Sequence, residues 1–434
     1  MEDGQVEEAE NCKEPEVAPA LIALHPTQKF ITVAVGSELR VFDLELDSAV
    51  SLADDVGGPC HSDSVRTIKF SSNGNLFVSA GDDKLVKVWT TDDWRCILTV
   101  GAEKRVTAVA ISKDGLFVCY ADKFGTVWVF GLDEAEENQK LKTKKPVALL
   151  AHYCSIITRL EFSPDGRFIL SADRDFKIRV TLFPKSPLHG AHEIQSFCLG
   201  HIEFVSCMTF ISSPDHPQGF IVSGSGDSTV RLWDISSGKL LYTCAAGAEA
   251  GLLESDGKAE PDTPLAPITD VCSSFDGTLV AVAIQGLQGI AMLNCDLSAA
   301  TLSINRIISF TEETFIPTAL GTSAKDYLWM VTGVSNLKGF DLPSLARVKV
   351  LSGFNKNLSN SAEGEGTIVE DSHLPGGEKL LEKLQGSLSV RNEAFLAAAE
   401  AVKTAMCNLL IKKSYTMDTR EFRKRTRNDK KTKK

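Results

Sequence analysis

The sequence predicts an all-β chain, a β-propeller of about seven four-stranded blades, and three observations predict it. First, one unit recurs from Ala20 onward: an apolar strand, a polar turn, a second apolar strand, a Gly/Asp-rich turn and a third strand. Second, the hairpin turns Asn73–Gly74, Asp114–Gly115 and Asp165–Gly166 put successive glycines 41 and 51 residues apart, against about 40–45 for a blade. The longer spacing holds the charged insertion 133–145. Third, the best copies end their third strand in Trp, at Trp89 and Trp233. Blades stacked in a ring cover one another's faces and leave only short edges, which is why the repeat must close on itself.

The copies follow in order. The clearest are 67–92 and 207–241; the latter is opened by Gly200–His201 and closed by Trp233–Asp234, the pattern of a WD repeat. Weaker copies occupy 21–44, 107–132, 158–183 and 268–293, and a degenerate one spans roughly 318–342. The Asn-Gly and Asp-Gly turns, with Asp276–Gly277 as a fourth, set glycine where the backbone needs a positive φ. In the copy at 158–183, Ile178 and Val180 alternate with Lys177 and Arg179, an apolar face backed by a cationic one.

The propeller is expected over 18–350, after an acidic disordered tail, 1–17. Residues 351–388 are rich in Gly, Ser, Asn and Glu and read as a flexible linker. An amphipathic helix is expected over 389–415, with Phe395, Ala399, Val402, Met406 and Leu409 along one face. A basic disordered tail, 416–434, ends the chain.

Composition narrows function. The apolar fraction, 43%, supports a core, and the net charge of −11 argues against the chain as a whole being a nucleic-acid binder. Eleven cysteines without a C-x-x-C point to a reducing compartment, cytosol or nucleus, and away from zinc sites and disulfides. No apolar run reaches the ~18–20 residues of a membrane span. No dinucleotide, phosphate-loop or metal-ligand spacing occurs, so no cofactor and no metal are expected.

His201, Ser223, Asp227 and Trp233 contain the residue types of a catalytic triad, but they read as a buried hydrogen-bond network within one blade. His61 with Asp83, and His152 with Asp175, are expected to repeat it. A feature repeated from blade to blade is architecture. Arg179 aligns with Lys87 and Arg231, so a cation there is ordinary for this strand, while Arg174 replaces Asp82 and Gly226, where the turn demands no charge. The tail cations Arg423, Lys424, Arg425, Arg427, Lys430 and Lys431 fit a nuclear-import signal, an RNA-contacting arm or a solubilising end.

The stretches ADRDFKIRV (172–180), IQSFCLGHIEFVS (194–206) and SGSGDSTVRLW (223–233) are more particular than a generic blade. They resemble the WD-repeat, non-catalytic subunit of the eukaryotic tRNA (guanine-N7-)-methyltransferase. The resemblance implies no enzyme activity of its own and a heterodimer with a separate catalytic methyltransferase. It implies N7-methylguanosine formation in the variable loop of tRNA, with tRNA met mainly through the complex. The location expected from the cysteines and the basic tail is the nucleus, with the cytoplasm as the alternative. The resemblance also implies that Arg174, Lys177 and Arg179 contact the partner. A generic WD-repeat adaptor, such as a ubiquitin-ligase substrate receptor or an assembly scaffold, is the alternative expectation.

Overall fold

The computed structural model describes residues 16–54, 60–132, 145–152, 155–213, 216–253, 265–310, 313–340, 344–354, 367–386 and 392–410. Seven four-stranded sheets stand in a ring. Blades one to six span 21–50, 65–101, 106–151, 157–199, 205–244 and 268–309, and each strand pairs antiparallel with the next in sequence. The innermost strands touch in order around the ring, and Ala319–Thr322 returns to Leu21–Leu24.

Period-two alternation makes these blades. Ile178 and Val180 are fully buried and pack with Val205, Met208, Ile221 and Trp233 of blade five. The core therefore lies between blades, where each sheet covers its neighbour's apolar face. The turn glycines take the expected conformation, with φ of +79°, +74°, +77° and +73° at Gly74, Gly115, Gly166 and Gly277. At Gly74 the need is doubled, because a Cβ there would lie 2.0 Å from the His25 ring of blade one.

Hydroxyls near the start of the inner strands tie blade to blade at five of the seven junctions. Thr107, Thr158, Ser206 and Thr269 donate to the carbonyls of Ile157, Val205, Ile268 and Pro317. The same bond closes the ring, from Thr318 Oγ1 to the Ala20 carbonyl at 2.8 Å. Blade seven is built from both ends of the propeller: Ala18–Pro19 pairs with Tyr327–Ser335 beside Ala319–Thr322. On its outer edge, Ser344–Ser352 is covered by 367–369 through Val369 N to Val350 O at 2.9 Å.

Two expectations change here. The segment 351–388, expected as linker, contains the helix Gly377–Gln385, whose Leu380, Leu381 and Leu384 are buried in one cluster with Val41 and Phe42 of blade one and Val348 of blade seven. Its Gly- and Ser-rich flanks mask a Leu-x-x-x-Leu spacing that presents one apolar face. Glu16, placed in the acidic tail, pairs with Arg105 at 2.8 Å and holds the chain entry on the ring. The C-terminal helix forms over Asn392–Leu410. Phe395 and Val402 are buried against Val334, Leu337 and Leu345, whereas Leu409 is exposed. The basic tail lies outside the described residues.

Candidate partner-binding site

Blade five shows how the repeated network is assembled. Trp233 Nε1 donates to Ser223 Oγ at 2.8 Å, and Ser223 Oγ lies 2.8 Å from His201 Nε2. His201 Nδ1 lies 2.9 Å from Asp227 Oδ2. A neutral imidazole satisfies every member if Nδ1 carries the proton. Burial favours that neutral form by pulling the His201 pKa down. Blade two repeats the chain with Trp89, Ser79, His61 and Asp83. All of these groups are spent on one another, which leaves architecture and no nucleophile.

Blade four departs from the expectation. His152 Nδ1 bonds Asp173 Oδ2 at 2.8 Å, and Asp175 is not its partner. Asp173 ends the second strand, where blades two and five have Gly81 and Ser225, and so already reaches the imidazole. Its Oδ1 also accepts the Lys177 amide, while the Asp175 amide donates to Ser155 Oγ. Turn alignment placed Asp175 with Asp83 and Asp227, and did not register the earlier acid. Blade three uses the same position: Asp122 accepts Trp128 Nε1 at 2.9 Å.

The three cations expected to meet a partner lie on the second turn and third strand of blade four. Arg174 is half-buried, its Nε 3.8 Å from Asp175 Oδ1, and its amide donates to Ile156 O. Lys177 Nζ lies 3.6 Å from Asp173 Oδ2 and its side chain is 41% exposed. Arg179 stands opposite Ser171 and points to the blade-three side, with Nη1 donating to Ala151 O at 3.2 Å and Nε to Thr181 Oγ1 at 3.0 Å. Thr181 takes the place that Trp89 and Trp233 hold in blades two and five.

The sister blades give Arg179 its meaning. Lys87, opposite Ser79, is buried against the carboxylate of Asp54. Arg231, opposite Ser223, lies 3.6 Å from Asp227. Arg179 occupies the same register and, among the described residues, has no carboxylate beside it. Burial alone draws its guanidinium below the ordinary arginine range. A half-buried guanidinium held by neutral acceptors is an open socket for an acid.

Sequence reading missed a second charged constellation, in the central channel. Arg159 of blade four reaches Asp270 of blade six at 3.0 Å, and Asp270 accepts the Leu320 amide of blade seven at 2.8 Å. Lys69 of blade two meets Glu161 of blade four at 2.6 Å. Each of these residues falls on the third or fifth position of an inner strand, a periodicity that the sequence did carry. The pairs brace the ring across its axis. Among the described residues, no cluster of three His, Cys, Asp or Glu is placed to hold a metal ion. No helix among them is long and apolar enough to cross a membrane. Arg423, Lys424, Arg425, Arg427, Lys430 and Lys431 lie outside the described residues.

Comparison with known proteins converges on one family. The profile of the tRNA methyltransferase TRM82 WD40 domain matches residues 134–332, and that of the WD domain, G-beta repeat, matches 58–90. The tRNA (guanine-N(7)-)-methyltransferase non-catalytic subunit wdr4 of Xenopus laevis is 31% identical over 325 residues, 73% of this chain and 76% of that one. The protein of that name from Dictyostelium discoideum is 30% identical over 242 residues, and the match spans 52% of this chain but only 49% of the relative. The bovine one is 38% identical over 183 residues, 42% of this chain and 40% of its own length. Among solved structures, "Structure of U3-55K" aligns with a TM-score of 0.56 at 20% identity, over 72% of this chain and 88% of that one, a likeness of fold. The frog relative, aligned along most of both chains, carries the assignment: this chain belongs to the family of non-catalytic WD-repeat subunits of tRNA (guanine-N(7)-)-methyltransferase.

Proposed function

We propose that this propeller docks a separate catalytic methyltransferase as a heterodimer, through the cationic edge of blade four, and that the pair forms N7-methylguanosine in the variable loop of tRNA. One observation carries the reading: among the described residues, Arg179 lacks the carboxylate that its counterparts Lys87 and Arg231 have, so the partner supplies it. A guanidinium can take that carboxylate in a two-pronged, charge-assisted bond. Arg174 and Lys177, on the adjoining turn and strand, add field and steer the encounter. Docking favours the competent state of the catalytic subunit only to the extent that the propeller binds that state better. The tRNA is met mainly through the complex. The tail cations serve nuclear import, or RNA contact, or both. The family comparisons favour this reading over a generic WD-repeat adaptor.

The test is co-purification of the tagged chain with its partner, assayed for methyl transfer to guanine N7 of tRNA. Arg179→Glu is expected to release the catalytic subunit and abolish the activity. Truncating one side of a buried interfacial charge pair costs about 2–5 kcal/mol, and reversal costs no less. A variant that still binds and still supports methylation sinks the proposed dock.

A further inference from the structure

Blade four differs from blades two and five at a second place, on the same face as Arg179. Its outermost strand, Ile194–Leu199, pairs with Lys177–Leu182 so that Phe197 stands opposite Arg179 and Leu199 opposite Lys177. Directly paired residues project to the same side of a sheet, so two apolar side chains flank the two cations. Both are open to solvent, Phe197 at 40% and Leu199 at 59% exposure. The repeat supplies its own control. At the register of Phe197, blade two has Thr99 opposite Lys87 and blade five has Thr243 opposite Arg231. At the register of Leu199, blade two has Gly101 opposite Leu85. Small or polar residues thus satisfy the architecture of blades two and five there; blade six carries Ile307, 37% exposed, at the register of Phe197, but opposite Ala291 rather than a cation.

We infer that Phe197 and Leu199 form the apolar half of the docking surface, and that the catalytic partner meets it with an apolar side chain next to the carboxylate that Arg179 takes. This rests on the docking reading above and adds to it the chemistry of the occupant. Charge excludes one rival occupant: the chain's own basic tail, with eleven Lys and Arg from Lys412 to Lys434, would be repelled by Arg179 and Lys177. The arrangement follows the usual anatomy of an interface, where an apolar contact excludes water from a charge pair and strengthens it.

The experiment measures binding of the purified catalytic partner to the full chain and to Phe197→Thr, Leu199→Thr and the double variant, beside Arg179→Glu. Thr copies the sister blades at the first position, so unfolding temperatures should match wild type. The double variant is expected to bind at least tenfold more weakly, with a loss that persists at high salt. Ile97→Thr, which removes an exposed apolar side chain from the outer strand of blade two, is expected to change nothing. As a measurement on the unaltered chain, hydrogen exchange at 194–199 should slow when the partner is added. Wild-type binding by the double variant, with Arg179→Glu inactive, overturns this inference and leaves the dock standing. Wild-type binding by all variants overturns both. Self-association of the lone chain that is lost in the double variant assigns the patch to a second copy and overturns the inference as well.

Discussion

Asp227 illustrates how a polar side chain is retained inside a blade. Burial would raise its carboxyl, yet hydrogen bonds from His201, Thr229 and the Ile202 amide draw it from 3.8 down to about 2. A depressed carboxylate stabilises the fold at pH values above its unfolded pKa, and that contribution disappears as pH falls through the folded one. Asp227→Asn is therefore expected to cost about 1–3 kcal/mol at neutral pH. In thermal melts followed against pH, its deficit should shrink between 3.8 and about 2, where wild type also loses the charge. A deficit constant across that window would place the effect elsewhere. At the same scale, Asp173 shows the limit of aligning turns by type: two acids stood two residues apart, and only the three-dimensional path of the strand end chose between them.

Among whole elements, the helix Gly377–Gln385 was hidden by its surroundings. Its leucines become legible only beside the groove that blades one and seven leave between them, since a nine-residue helix is not stable alone. Leu384 is fully buried, so Leu384→Ala is expected to lower stability by about 2–5 kcal/mol in denaturant unfolding. A true linker would show no change. The strand Ile194–Leu199 makes the opposite point. Its apolar residues suit any β-strand, and only pairing with Lys177 and Arg179 shows that Phe197 and Leu199 share a face with those cations.

Across the whole molecule, the ring is closed by the Thr318–Ala20 bond and braced across its axis. Burial pushes the Asp270 carboxyl up against the opposing pull of Arg159, so the pair is held by geometry as much as by charge. Removing one member strands the other: Arg159→Met is expected to cost about 3–5 kcal/mol. Adding Asp270→Asn in that background should recover part of the loss while keeping the acceptor for the Leu320 amide. A double variant less stable than the single one would contradict the brace.

What the sequence alone determined was everything set by local periodicity: strand alternation, glycine turns, the number of blades, the blade-five network and the stripe centred on Phe395 and Val402. Most of these depend on neighbours within a few residues; the blade-five network, whose members stand 10 to 26 residues apart, is legible because the repeat confirms each copy against the next. What only the tertiary structure decided depends on residues far apart in the chain. Ring closure by Ala18–Pro19 and the channel pairs arise where separate blades meet. The choice of Asp173 over Asp175 turns on the path of a strand end in blade four, and the counter-charge that Arg179 lacks among the described residues shows only beside its sister blades. Burial and charge are properties of the space between elements, and a single strand read along its length does not contain that space.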